Sequence, residues 1–128
     1  MARKNLAPGE KPVLWIGSSK IDLLDFPESV KERVGVALSV AQFGGKHPHA
    51  RPWKGIGPGV LEIREDYRGD TYRTVYTVRF DDVVYVLHSF KKKSPNAIRT
   101  AVMDIDLIGK RLKAAENDYV KRYAQEKD

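Results

Sequence analysis

The chain has 128 residues, of which 41% are apolar and 31% charged, and this composition suits one soluble domain that buries its own core. It contains no cysteine, which excludes disulfides and thiolate metal sites. The net charge of +6, from 23 Lys and Arg against 17 Asp and Glu, suits an anionic partner such as nucleic acid or an acidic protein as well as it suits a soluble protein with neither.

Residues 1–11 are polar and contain a Pro-Gly turn signal, which predicts a flexible arm ahead of a single domain over residues 12–128. The arm lacks the apolar core of a secretory signal, and no stretch of the sequence is apolar for long enough to span a bilayer. We therefore expect a cytoplasmic protein. The apolar run Pro12–Gly17 ends in glycine and predicts a short buried strand.

A helix is predicted to follow, with Pro27 as its first residue, because the ring of proline fixes a helical φ and its missing N–H needs no partner there. The pair Gly44-Gly45 marks the end of this helix. Apolar side chains recur at helical spacing and predict its buried face at Val30, Val34, Ala37, Leu38 and Ala41.

Residues 44–59 are rich in glycine and proline and are predicted to form the main loop. Its two histidines, His47 and His49, have no third ligand nearby, which favours an ordinary surface loop over a metal site. Trp53 precedes Lys54, and such a pair stacks on a base and neutralises a phosphate in some nucleic-acid-binding proteins. Packing of Trp53 over the core is the simpler role and the one we favour.

Three strands are predicted at Val60–Tyr67, Thr71–Phe80 and Val83–Phe90, where β-branched and aromatic residues predominate. Arg68–Asp70 and Asp81-Asp82 are the turns between them. Because these connections are short, the strands are expected to form an antiparallel meander.

The C-terminal part of the chain predicts one amphipathic helix that begins between Pro95 and Asp104 and frays beyond Tyr123. Its basic residues are most simply explained as a solvated face. Its predicted apolar stripe consists of Val102, Ile105, Ile108, Leu112, Ala115, Tyr119 and Tyr123.

The two turns predict which side chains share a face of the sheet. A two-residue loop at Asp81-Asp82 gives three pairs that face the core: Phe80 with Val83, Val78 with Tyr85, and Tyr76 with Leu87. The other face then carries Arg73, Val75, Thr77, Val84, Val86 and His88.

If Asp66 pairs with Thr71 across the first turn, Arg64 lies directly opposite Arg73, and Glu62 lies opposite Val75. The face opposite the core pairs would then hold a polar cluster of Glu62, Arg64, Arg73 and His88. Facing arginines repel each other, so the arrangement is either a solvated ionic face or a functional site. The adjacent lysines at 91–93 favour a functional site for an anionic ligand.

Several segments between about Val13 and Tyr123 carry a family resemblance. They are WIGSSKIDL, the FP pair before the first long helix, PWKGIGPGVLEIR, TYRTVY, VLHSFKKKS and DIDLIGKRLKAAENDY. On these segments the chain resembles the RelE/ParE toxin superfamily, and more closely its HigB-like, phage-derived branch. The resemblance implies an α+β fold, a RelE-like single domain in which an N-terminal strand and helices pack on an antiparallel meander sheet that a C-terminal helix follows.

The resemblance also implies the toxin of a type II toxin–antitoxin system, an endoribonuclease that cleaves mRNA, commonly on the ribosome, and needs no metal or other cofactor. In such enzymes the 2′-hydroxyl of the RNA attacks the neighbouring phosphate and leaves a 2′,3′-cyclic phosphate. Besides mRNA and the ribosome, the expected partner is a cognate antitoxin, often a helix-turn-helix DNA-binding protein, that covers the basic face or displaces the terminal helix.

The catalytic candidates are the four residues of the polar cluster. Arg64 and Arg73 would clamp the scissile phosphate, because a guanidinium binds phosphate oxygens in a bidentate way. His88 suits proton transfer, since histidine ordinarily changes charge near neutral pH, and it suits equally well a structural role at the strand end. Glu62 would act as a base or orient an arginine. Contacts to the RNA or ribosome backbone are expected from Lys54, Lys91, Lys92 and Lys93.

Two other functions fit the same sequence. A ParE-like toxin of this superfamily would inhibit gyrase instead of cutting RNA. A phage-derived nucleic-acid-binding or adaptor protein would use the basic face without any catalysis and without a role for His88.

Overall fold

A computed structural model describes residues 6–92 and 97–124. Residues 1–5 of the predicted arm, Lys93, and residues 125–128 of the predicted frayed tail therefore lie outside the described residues. The helices and strands are, in chain order, β1 (Val13–Trp15), α1 (Ser19–Leu24), α2 (Glu28–Gln42), β2 (Ala50–Pro52), β3 (Val60–Tyr67), β4 (Asp70–Thr77), β5 (Val84–Lys92) and α3 (Ala97–Ala124).

The five strands form one sheet in the order β1-β5-β4-β3-β2. The predicted antiparallel meander is confirmed for β3, β4 and β5, and β1 is added at one end, parallel to β5. The strand β2, which was not predicted, lies at the other end and pairs with β3. Its proline is tolerated there because an edge strand does not need every N–H for the ladder.

The predicted β3–β4 register is confirmed, with Arg64 opposite Arg73 and Glu62 opposite Val75. The predicted two-residue turn at Asp81-Asp82 is wrong. The strand β4 ends at Thr77, and residues 78–83 form a longer connection to β5. At Asp82 the backbone has a φ of 69°, a left-handed conformation that aspartate accepts more readily than most residues.

The β4–β5 ladder contains a bulge at Leu87. Tyr76 pairs with Val86 instead of the predicted Leu87, whereas Val75 pairs with His88 as the predicted register requires. The predicted register is therefore off by one residue between the turn and the bulge, and the additional residue of the bulge restores the predicted pairing from Val75 and His88 onward. His88 therefore lies on the predicted face, but Val84 and Val86 lie on the opposite one.

Both faces of the sheet are covered, and we call them the α2 face and the α3 face. On the α2 face all five predicted apolar positions of α2 are buried with Ile63, Tyr76, Val84 and Val86. Tyr76 is 1% exposed, as its predicted core position requires, and burial raises its pKa to about 12. On the α3 face, side chains of α3 pack on the sheet in a second cluster that includes Val60, Val75, Tyr85, Leu87, Ile108, Leu112 and Ala115.

The predicted apolar stripe of α3 is correct only from Ile108 onward. Val102 and Ile105 are 54% and 44% exposed, and Asp104 is buried in their place. The N-terminal part of α3 therefore meets the sheet through a charged side chain. Within the part of the chain that the structure describes, no helix has the length and apolar character that crossing a membrane requires.

Candidate functional site

The α3 face carries the predicted polar cluster across the middle of β3, β4 and β5. Glu62, Val75 and His88 form one row across the three strands, and Arg64, Arg73 and Phe90 form the next row. The structure therefore brings all four predicted catalytic residues onto one face. Their chemical roles stay predictions.

Glu62 and Arg73 form a buried ion pair at the centre of this face. Arg73 Nη1 lies 3.5 Å from Glu62 Oε2, and the two side chains are 15% and 9% exposed. Arg73 Nε is buried and has no hydrogen-bond partner within the described residues. Because one carboxylate holds the Arg73 guanidinium and leaves one of its donors without a partner, this side chain can also bind an anion.

Arg64 is the more accessible of the two facing arginines. Its side chain is 41% exposed, and its Nε lies 3.9 Å from Asp66 Oδ1. Asp66 also accepts a hydrogen bond from the Thr71 hydroxyl at 2.9 Å. Each arginine thus has its own carboxylate, which reduces the repulsion expected between like charges directly opposite on neighbouring strands. The exposed Arg64 pair itself contributes little to stability.

His88 is buried under α3. Its Nε2 lies 2.9 Å from Asp104 Oδ1, and its Nδ1 lies 3.5 Å from Arg111 Nη1. The imidazole also stacks on the Phe90 ring, with 4.6 Å between the ring centroids. In this arrangement neither ring nitrogen is open to a ligand on the face.

Arg111 connects the same part of α3 to β5 and to the start of α1. Its Nη1 donates to the Leu87 carbonyl and its Nη2 to the Ser18 hydroxyl, each at 3.0 Å. Ser18 in turn donates to Asp22 at 2.7 Å. The backbone of Gly17, at a φ of 58°, passes so close that a Cβ there would lie 2.8 Å from Arg111 Nε. Glycine at position 17 therefore allows this polar contact between α1, α3 and β5.

Trp53 packs into the apolar cluster of the α3 face, which agrees with the core-covering role favoured from the sequence. Its ring meets Phe90 edge to face, with 6.4 Å between the centroids. Its Nε1 is buried and has no hydrogen-bond partner within residues 6–92 and 97–124. Trp53 thus joins β2 to the aromatic pair of Phe90 and His88.

The predicted lysines do not lie together. Lys92 is opposite Thr71 and shares the α3 face with Arg73, whereas Lys91 is opposite Tyr72 on the other face. Lys91 forms an ion pair there with Asp70 at 3.2 Å. Lys54 lies in the loop between β2 and β3. Of the three predicted lysines that the structure describes, Lys92 lies next to the arginine row.

Comparison with known proteins agrees with this fold. Residues 21–113 match the family described as phage derived protein Gp49-like (DUF891). The chain belongs to this family. A structure of the Escherichia coli toxin RelE, a double arginine-to-alanine mutant in the free state, is similar to this Gp49-like protein with a TM-score of 0.50 and 21% identity. The match covers 75% of this chain and 98% of the RelE chain, and it shows a RelE fold. No curated protein sequence matches significantly.

Three residues at the site of this Gp49-like protein were not predicted from its sequence. Asp104 and Arg111 were read as the start and the solvated side of an amphipathic helix, although a charge within an apolar stripe is a signal of a buried partner. Arg51 was read as part of a loop. It lies opposite Glu62 in β2, a strand of three residues that is too short to show any alternation of apolar and polar side chains.

The histidines of the main loop belong to a separate cluster on the α2 side of the sheet. His49 Nδ1 lies 2.6 Å from an oxygen of Glu65, and Arg33 Nη1 lies 3.9 Å from the other oxygen. Glu65 is 3% exposed, so the histidine provides its main contact. Within residues 6–92 and 97–124, no group of three His, Cys, Asp or Glu side chains is placed to hold a metal ion.

Proposed function

We propose that this Gp49-like protein is the toxin of a type II toxin–antitoxin system and acts as a metal-independent endoribonuclease on mRNA, on the translating ribosome. The observation that carries the proposal is the placement of Arg64 directly opposite Arg73 beside the buried Glu62. Such a pair of cations gains most when an anion lies between them. The resemblance to RelE-type toxins implies that RNA supplies this anion, and the RelE fold is compatible with that.

In the proposed reaction the scissile phosphate lies over the row of Arg64 and Arg73. The 2′-oxygen forms a bond to phosphorus, the bond from phosphorus to the 5′-oxygen breaks, and a 2′,3′-cyclic phosphate remains. The two guanidinium groups stabilise the negative charge that develops on the phosphorane, which is commonly the largest contribution to such a reaction. They also hold the 2′-hydroxyl in line by fixing the phosphate.

Glu62 is the carboxylate that contacts Arg73, at 3.5 Å. We assign it two tasks that are compatible with this position: it orients the Arg73 guanidinium, and it accepts the proton of the 2′-hydroxyl when RNA is bound. A carboxylate that is 9% exposed keeps its hydrogen bond to an arginine better than an exposed one does. The leaving 5′-oxygen takes its proton from a cationic side chain of the face or from water.

His88 is buried and contacts Asp104 and Arg111 on α3. Of the two roles considered from the sequence, these contacts support the structural one. We therefore propose that His88 positions α3 and Phe90 beside the arginine row. Lys92, together with Lys54 in the loop that precedes β3, is proposed to bind the RNA or ribosome backbone, whose phosphates attract cations without regard to base sequence.

The proposed protein partner is an antitoxin that is encoded next to the toxin, a helix-turn-helix DNA-binding protein that neutralises the basic face.

 The charge of the site face supports this pairing, since its described residues include Arg51, Arg64, Arg73 and Lys92 against Glu62 and Asp66. An acidic surface of the partner would complement that excess of positive charge.

The proposal is tested by adding the purified protein to a translation extract and mapping new mRNA 5′ ends by primer extension. We expect discrete new 5′ ends, together with upstream fragments that end in a 2′,3′-cyclic phosphate. Intact mRNA with normal translation would contradict the proposal. Inhibition of DNA supercoiling without RNA cleavage would indicate a gyrase inhibitor, and RNA binding without cleavage would indicate a non-catalytic binding protein.

A further inference from the structure

Arg51 is a cation on the site face that the proposed reaction does not use. It lies at the middle of β2, directly opposite Glu62. Its neighbour Ala50 is 4% exposed and packs on the α2 face, so the alternation of a strand directs Arg51 to the α3 face. The Arg51 side chain is exposed, and it has no hydrogen bond or ion pair with the other described residues.

The backbone of Arg51 is fixed although its side chain is free. Hydrogen bonding to β3 sets its position in the sheet, and the next residue, Pro52, restricts the backbone further. Glu62 does not neutralise Arg51, because it already forms the ion pair with Arg73. A cation held in place beside an occupied carboxylate is suited to an external anion.

The position of Arg51 relative to the arginine row follows from strand geometry. Neighbouring strands are about 4.8 Å apart and residues two apart in a strand are about 6.8 Å apart, which places the Cα atoms of Arg51 and Arg64 about 8 Å from each other. Arg73, Arg64 and Arg51 therefore lie on three successive strands, β4, β3 and β2. One phosphate cannot contact all three arginines, but two consecutive phosphates of one RNA strand can.

The α3 helix limits the direction in which an RNA strand can cross this face. It closes the β5 side of the face through the contacts of Asp104 with His88 and of Arg111 with the Leu87 carbonyl. On the other side, β2 is the edge strand of the sheet formed by the described residues. A polymer whose phosphate lies on Arg73 and Arg64 is therefore free to leave the face across β2.

We propose that Arg51 binds the phosphate next to the scissile one, so that single-stranded RNA crosses the sheet from β4 to the edge strand β2. This inference rests on the proposed endoribonuclease function and adds a second phosphate subsite to it. Arg51 acts in binding, and the bond-making step does not require it.

The test measures the affinity of a single-stranded RNA hexanucleotide, blocked against cleavage by 2′-O-methyl groups, at several salt concentrations. For single strands the slope of log affinity against log salt changes by about 0.7 for each phosphate contact, so Arg51→Ala should make the slope shallower by about 0.7. Arg51→Lys should keep the wild-type slope. Arg33→Ala is the matched control, because Arg33 is a half-exposed arginine beside Glu65 on the α2 side.

Thermal unfolding of each variant confirms that it is folded, and Arg51 is exposed enough for its replacement to be tolerated. An unchanged slope in Arg51→Ala, with wild-type RNA cleavage, would overturn the second subsite and leave the proposed function standing. An equal change of slope in Arg33→Ala would overturn it as well, since the effect would then reflect net charge. A wild-type protein that neither binds nor cleaves RNA would overturn both.

Discussion

The imidazole of His88 and the carboxylate of Asp104 meet across the interface of β5 and α3, with 2.9 Å between Nε2 and Oδ1. The side chains are 9% and 12% exposed, and Asp104 Oδ2 is buried without a hydrogen-bond partner in the described residues. A buried polar pair of this kind adds little stability relative to apolar side chains of the same size, but it is costly to break. The pair therefore fixes where the N-terminal part of α3 lies.

Replacement of His88 by Ala should lower the free energy of unfolding by about 3–5 kcal/mol, because Asp104 is left buried without its partner. The double variant His88→Leu with Asp104→Leu should recover most of this loss, since both polar groups are removed together. Urea denaturation of the two variants measures the difference.

RNA cleavage by the double variant then separates the two roles of His88. We expect the folded double variant to cleave RNA, because the structural role of His88 needs only a correctly placed α3. A double variant that is stable and inactive would show instead that the imidazole takes part in the chemistry.

Two isoleucines three residues apart on α3 test which side of this helix packs on the sheet. Ile108 is fully buried, so Ile108→Ala should lower the free energy of unfolding by about 2–5 kcal/mol. Ile105 is 44% exposed, and Ile105→Ala should change it by less than about 0.5 kcal/mol. Equal losses in the two variants would contradict the observed packing of α3.

The carboxylate of Asp118 should make stability depend on pH in the acid range. Hydrogen bonds from Arg122 and from the Tyr85 hydroxyl hold the pKa of Asp118 below its ordinary value of 3.8. A carboxylate whose pKa is lowered in the folded state stabilises that state above the ordinary value and loses this effect as the pH falls through the lowered one. The hydrogen bond from Tyr85 is 2.6 Å long.

Asp118→Asn should therefore unfold at a lower temperature than the wild type at pH 7, and the difference should narrow as the pH falls below about 4. Thermal unfolding followed by circular dichroism at a series of pH values measures both curves. A difference between the variants that is the same at pH 3 and pH 7 would contradict the role assigned to this carboxylate.

The two consecutive lysines of β5 provide a matched pair for the RNA-binding face. Lys92→Ala should weaken RNA binding and make its salt dependence shallower by about 0.7, because the side chain shares the face of Arg73. Lys91→Ala should leave RNA binding unchanged, because Lys91 lies on the other face and pairs with Asp70. The opposite order of effects would mean that RNA binds to the α2 face.

The sequence was sufficient to predict the meander, the buried face of α2 and the β3–β4 register. Alternation of side chains and a short turn determine these features locally, as with Arg64 opposite Arg73. The β4–β5 connection was predicted wrongly because an Asp-Asp pair resembles a two-residue turn, whereas β4 ends before it. The bulge at Leu87 depends on packing against α3, which no local pattern reveals.

The part of the candidate site that lies on the meander could be predicted from the sequence. The residues that β2 and α3 contribute were missing from that prediction. Glu62 and Arg73 were placed together by alternation alone. Arg51 was missed because β2 exists only as a partner of β3. Asp104 was missed because the stripe was assigned from apolar residues alone, and that pattern does not show that this carboxylate faces His88.

The central claim is that Arg73 stabilises the transition state of RNA cleavage, and Arg73→Lys tests it most directly. Lysine keeps a positive charge beside Glu62, so the fold should survive, but it lacks the bidentate donor geometry of a guanidinium. We predict wild-type thermal unfolding and a loss of mRNA cleavage of about 100-fold or more, with Arg33→Lys unchanged in both assays. An Arg73→Lys protein that unfolds like the wild type and cleaves mRNA at the wild-type rate would contradict the account.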